Sequence, residues 1–261
     1  MKPFHELYED VKAGIRALQA FDNPETPEAK REISRLLYDP DVRLTQWVYE
    51  LENYNHQKSP SKIEQQRAAR VLEGIALASF ARVVGKISIK SYRSPDAQHD
   101  LLITGNGGSW KGFCVHCRID DKKRGVLVEA KAHRTRVSSS QFSRVCSNID
   151  HTTLKGLVSL GIIFSLRGAT GFPVGTSDKR EIALRDSRLR QAVFFLVTEV
   201  PIIVFDLEDL KQLSQPGGLP DLIELKVREL FMQCGQISSR ATGASLTEID
   251  APDYLAEFKP L

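Results

Sequence analysis

The stretch Val126-Leu127-Val128-Glu129-Ala130-Lys131-Ala132-His133 decides how this chain is read. Gly125 bounds it on one side, and its Val and Leu content predicts a β-strand. Side chains alternate across a strand, so Glu129 and Lys131 share one face while Val126, Val128 and Ala130 occupy the other. A charged pair at the end of an apolar strand calls for a reason, because burying charge is costly unless it is paired or binds a metal. One reason is that the two side chains pair with each other at a sheet margin. The other is chemical. A carboxylate suits a hard divalent cation such as Mg²⁺, and a neighbouring lysine can orient or help deprotonate water and stabilise developing charge.

Working outward, residues 61–84 predict a long helix, with Ser61 and Glu64 at capping-box spacing and Gly85 as its stop. Four short β-like runs come next, at residues 87–92, 99–104, 110–119 and 125–132, separated by turn-rich segments. They predict an antiparallel meander. Beyond the deciding strand come a capped helix at 138–150, an apolar buried strand at 156–166 and a charged amphipathic helix at 177–193. A short strand at 201–205 and helices at 206–213 and 219–233 complete the series, with Gly235 ending the last. Upstream, apolar residues at 4, 7, 8, 11, 15 and 18 predict a first helix. Thr26-Pro27-Glu28 starts a second, Asp39-Pro40-Asp41 breaks it, and a third runs through Trp47 to a polar connector at 53–60. The expected architecture is a three-layer α/β fold with a central mixed sheet flanked by helices. Residues 1–60 form an N-terminal helical appendage, 61–215 the core, and 216–261 a C-terminal helix and tail.

Metal chemistry needs more than one carboxylate. Asp100 opens the apolar run Asp100-Leu101-Leu102-Ile103-Thr104 and precedes Glu129 by 29 positions. Neighbours in a meander lie close, so the two carboxylates can converge at one sheet edge. A strand-start turn residue is the competing reading of Asp100. Glu73 shares helical steps with Ala69, Ala76, Leu77 and Phe80, which turns it toward the sheet. Its competing reading is a margin position that reaches solvent or Arg70.

This arrangement resembles the PD-(D/E)XK superfamily of restriction-endonuclease-like nucleases. The signature is an acidic residue before or within one strand and (D/E)-x-K on the next, matched here by Asp100 and Glu129-Ala130-Lys131. The pair at the first position reads His99-Asp100 rather than Pro-Asp, and the literal Pro95-Asp96 upstream reads as a turn. The segment 129–150, in which the catalytic strand leads into a helix bearing Gln141, is similar to the Mrr-like branch. The resemblance spans residues 61–215 and implies an αβββαβ core. It further implies a metal held by Asp100, Glu129, the Ala130 carbonyl and Glu73, with Lys131 positioning the attacking water and Gln141 supporting it. The activity implied is Mg²⁺-dependent hydrolysis of DNA phosphodiesters, with Mn²⁺ as a substitute, in restriction, phage defence or DNA repair. Two further readings stand beside it: a catalytically silent module of the same fold that binds DNA or a partner protein, and an RNA nuclease.

Charge distribution agrees with a polyanionic partner. Of 36 Lys/Arg and 33 Asp/Glu, residues 61–144 hold 16 and 7, a net charge of +9 against −3 for each flanking segment. Arg134 and Arg136, just past the deciding strand, are candidate phosphate contacts, and Lys122 and Lys123 in the preceding turn are weaker ones. His133 reads as structural or solvated. The chain has 41% hydrophobic and 26% charged residues, has no apolar run of membrane-spanning length, and begins without the apolar core of a signal peptide. A cytoplasmic protein with no membrane partner is expected, as a homodimer or within a larger defence assembly. Cys114 and Cys117 form a C-x-x-C, but no second ligand pair at zinc spacing accompanies them, so they read as strand residues.

Overall fold

Local chemistry starts each N-terminal helix. In the computed structural model, which describes residues 26–93, 99–150, 156–172 and 187–235 (backbone alone at 86, 91–93, 99 and 100), α1 spans Pro27–Leu37. Thr26 Oγ1 accepts the Ala29 N–H at 3.2 Å, and Pro27 sits where no donor is needed. After α2 (Leu44–His56), α3 (Lys62–Ala81) opens with the expected capping box. Ser61 Oγ accepts the Glu64 N–H at 3.3 Å, and the Glu64 carboxylate accepts the Ser61 N–H at 2.7 Å. Next in the chain are β1 (Lys86–Arg93), β2 (His99–Asn106), α4 (Gly108–His116), β3 (Gly125–Lys131), α5 (Ser139–Asp150) and β4 (Val158–Ser165). The described series closes with α6 (Ser187–Thr198), β5 (Ile202–Phe205), α7 (Leu207–Gln212) and α8 (Gly218–Gln233). The helix expected at 4–18, and residues 177–186 of the one expected at 177–193, lie outside the described residues.

The five strands form one mixed sheet in sequence order. The β1–β2 and β2–β3 pairs are antiparallel, and β3–β4 and β4–β5 are parallel. The parallel pairs need crossovers, which α5 and α6 supply. Helices cover both faces. Alternation along β3 sends Val126 and Val128 into a core with Leu72 and Ile75 of α3, and Leu127 into a second core with Phe142, Val145 and Ile149 of α5. Both faces of β4 are covered, and all eight of its residues are buried. Leu44, Val48 and Leu51 of α2 and Leu222, Ile223 and Val227 of α8 belong to the α3-side core, so the described parts of both terminal regions share one interior with the sheet.

Two expectations are corrected. Residues 110–119 are not a strand. They lie in α4 and the turn after it, so three antiparallel strands stand where four were expected. The reason is periodicity: Trp110, Phe113, Cys114 and Cys117 recur at steps of three, one and three, and all four are buried, whereas Val115 is exposed. Gly107, at φ 88°, turns the chain out of β2 into this helix. Residues 53–56 are likewise helical rather than connector, because Tyr54 and Asn55 continue the buried side of Leu44, Val48 and Leu51.

The Trp110 ring lies flat against Gly105 of β2, where an added Cβ would stand 1.9 Å from its Cδ2 atom. Gly105→Ala must move either the ring or the strand. It is expected to cost about 2–3 kcal/mol, measured as a lower urea midpoint at unchanged m-value.

Candidate active site

The deciding stretch forms β3, between β2 and β4. Glu129 and Lys131 share a face, and Glu129 Oε1 receives Lys131 Nζ at 2.5 Å. Both are buried, at 2% and 5% exposure. They point to the α5 side of the sheet, the side of Leu127. Arg144 of α5 reaches the same oxygen, with Nη2 2.6 Å away. One buried carboxylate thus gathers two cations at the carboxyl end of a central strand, through charge-assisted contacts of the strong kind.

Arg144 is the functional candidate that the sequence reading missed. Its signal was present: it lies three residues beyond Gln141, on the helix that must cross back over β3. Gln141 itself closes the start of α5. Its Oε1 accepts the Ser138 N–H at 2.9 Å, and Ser138 Oγ accepts the Gln141 N–H at 3.4 Å. This is the S-x-x-Q form of the capping box, which ties the carbonyl end of Gln141 to the helix.

Asp100 stands on β2. The β2–β3 register pairs Leu101 with Val128, so one further step sets backbone position 100 across from Glu129. The Asp100 side chain lies outside the described residues. Glu73, in contrast, is half-buried on α3, which covers the opposite face of the sheet from Glu129 and Lys131. Among the described residues, no group of three or more His, Cys, Asp or Glu side chains is gathered as metal ligands.

The basic candidates divide. Arg134 and Arg136 come after β3 at the Lys131 end. Arg134 is half-buried, and its guanidinium donates to the carbonyls of Asn55 and Lys58 at 3.5 and 3.4 Å, bringing the end of α2 beside the site. Arg136 is exposed, with one long hydrogen bond to the Phe172 carbonyl at 3.4 Å. Lys122 and Lys123 precede β3 at its other end, about 20 Å away along the strand. There Lys123 faces Asp120 at 3.9 Å. His133 is exposed. The thiols of Cys114 and Cys117 are both in the core, and burial pushes the Cys114 pKa up to about 12 and that of Cys117 well above its ordinary value.

A second cleft opens beyond the carboxyl ends of β4 and β5, lined in part by Arg188, Asp206, Asp209, Lys226 and Gln233. Asp209 and Asp206 cap α7 reciprocally, and Lys226 Nζ lies 2.9 Å from Asp209. Burial raises the Asp209 pKa to about 6, with Lys226 opposing the shift. A carboxyl with a raised folded pKa holds its proton in the native state after the unfolded chain has lost it. Stability therefore falls as pH rises from about 4 to 6 and stays reduced above that window. Asp209→Asn keeps an acceptor for the Asp206 N–H and removes the titration. Its stability is expected to match the parent near pH 4 and to exceed it by about 2 kcal/mol at pH 7. Urea denaturation of both proteins across that range checks this, and a constant difference would sink it.

Comparison with protein-family models, with curated proteins and with solved structures finds no match. Among the described residues, no helix is long and apolar enough to cross a membrane.

Proposed function

We propose that this chain is a Mg²⁺-dependent endodeoxyribonuclease of the restriction-endonuclease-like, PD-(D/E)XK type, acting in restriction, phage defence or DNA repair. The observation that carries the reading is the Glu129–Lys131 pair at 2.5 Å on one face of a central strand, with backbone position 100 one residue beyond the last register pair, Leu101 with Val128, on the adjacent strand. The element order α3-β1-β2-β3-α5-β4, with α4 inserted before β3, is compatible with the αβββαβ core of that group.

The donor set fits a hard cation. Glu129 already gathers positive charge at this point, and the groups that would hold Mg²⁺ or Mn²⁺ are its carboxylate, the Ala130 carbonyl and Asp100. A sheet face separates Glu73 from this set, so the reading does not depend on it. The metal supplies Lewis acidity toward the phosphodiester and acidifies water. Lys131, held by Glu129, orients the attacking water and stabilises charge developing on the phosphate. Arg136 and Arg134, at the same end of β3, position the DNA backbone. Cutting both strands takes two cuts, and a homodimer would place a site on each strand.

The near-complete burial of Glu129 and Lys131 supports a second reading, a catalytically silent module of the same fold that binds DNA or a partner protein. One experiment separates the two. Purified protein is incubated with supercoiled plasmid in Mg²⁺ or Mn²⁺, beside an EDTA control. Metal-dependent nicking supports the nuclease. A folded protein that retards DNA in a gel yet leaves it intact with either metal supports the silent module.

A further inference from the structure

We propose that the DNA-contacting face extends beyond Arg134 and Arg136, to Lys58 on one side and Arg167 on the other, which rests on the DNA-binding part of the reading above. Three segments far apart in sequence meet at the Lys131 end of β3. The first is the connector between α2 and α3. The Arg134 guanidinium donates to the carbonyls of Asn55 and Lys58, which holds this connector beside the second segment, the residues that follow β3. The third is the loop after β4. The Val137 N–H donates to the Gly168 carbonyl at 2.9 Å, and the Thr170 N–H donates to the Val137 carbonyl at 3.0 Å. These bonds make a parallel bridge between Val137 and Ala169, so the chain past β3 and the chain past β4 run side by side.

Each segment exposes a cation there. Lys58, Arg136 and Arg167 are exposed, and Arg134 is half-buried. Among the described residues, no carboxylate forms an ion pair with Lys58, Arg136 or Arg167. Glu129 is buried beneath this end of the sheet with Lys131 and Arg144 on its oxygen, and Glu64 at the start of α3 is occupied by the Ser61 N–H. Cations gathered with so little opposing charge raise a positive potential, which a polyanion relieves. They stand on backbone segments joined by hydrogen bonds, so they are presented together, as repeated phosphates require and a single small anion does not. Contacts of this kind are blind to base sequence. The N-terminal helical region thereby gains a part in binding, because α2 and its connector carry Lys58 to the DNA.

The test is DNA binding without cleavage. The full chain is titrated into a fluorescein-labelled duplex in EDTA, and anisotropy gives Kd across a KCl series. Electrostatic binding of the backbone needs no metal. Lys58→Gln, Arg167→Gln and the double variant are compared with the parent and with Arg228→Gln, which removes one exposed charge on α8. Each single variant is expected to bind roughly 3- to 10-fold more weakly and to flatten the slope of log K against log salt by about 0.9, the share of one phosphate contact. The double variant is expected to combine both losses, equally on a second duplex of unrelated sequence. Arg228→Gln is expected to match the parent. Parent-like affinity and slope in the double variant overturn the proposal and leave the nuclease reading to the plasmid assay. An equal loss in Arg228→Gln, or weaker binding at an unchanged slope, also overturns it. A parent that binds no duplex even at low salt overturns both.

Discussion

If the chain is the nuclease proposed above, Lys131→Ala is expected to lower metal-dependent plasmid cleavage about 10³-fold, the size of effect that loss of a positioned acid–base group produces. Lys131 is 5% exposed and 2.5 Å from Glu129, so its ammonium has a fixed position, as the proposed role of orienting water needs. The substitution leaves Glu129 paired with Arg144, and the fold survives with a modest loss of stability. Initial rates of nicking in Mn²⁺ and Mg²⁺ give the activity, and circular dichroism confirms the fold. Cutting that persists in the variant would mean a contaminating enzyme or a site built on other residues.

Glu129→Ala carries the largest expected cost in stability. It strips the shared carboxylate from two cations, one of them almost fully buried. Breaking a buried ion pair from one side costs about 3–5 kcal/mol, because the charge left behind stays desolvated. Replacing the pair by side chains of similar volume avoids that cost. The double variant Glu129→Leu/Lys131→Met is therefore expected to recover most of the stability while remaining inactive. Urea denaturation of the single and double variants measures the recovery. A double variant as unstable as Glu129→Ala would show that the cost comes from packing rather than from charge.

The two substitutions separate roles that burial alone confounds. Lys131→Ala tests chemistry with one cation still on Glu129. Glu129→Ala tests the electrostatics that hold the end of β3 against α5.

The sequence by itself determined most of the elements, and the pair. Ser61 and Glu64, Thr26 and Pro27, and the alternation of Val126, Glu129 and Lys131 are local signals, and local backbone chemistry was enough to place α3, α1 and the shared face of β3. Periodicity was also present at Trp110, Phe113, Cys114 and Cys117, but a short apolar run satisfies strand and helix patterns alike. The tertiary structure resolves the choice as helix α4, which buries those four side chains and seats the Trp110 ring against Gly105. Which helix covers which face is likewise absent from the linear pattern. It depends on crossover connections, and these put Glu73 on the far side of the sheet and brought Arg144 onto Glu129. Helical spacing makes Glu73 a candidate metal ligand, and the family resemblance gives Gln141 its supporting role. Tertiary structure set the first behind the sheet and tied the second into a helix cap, because contacts between distant segments are fixed by packing and not by position along the chain.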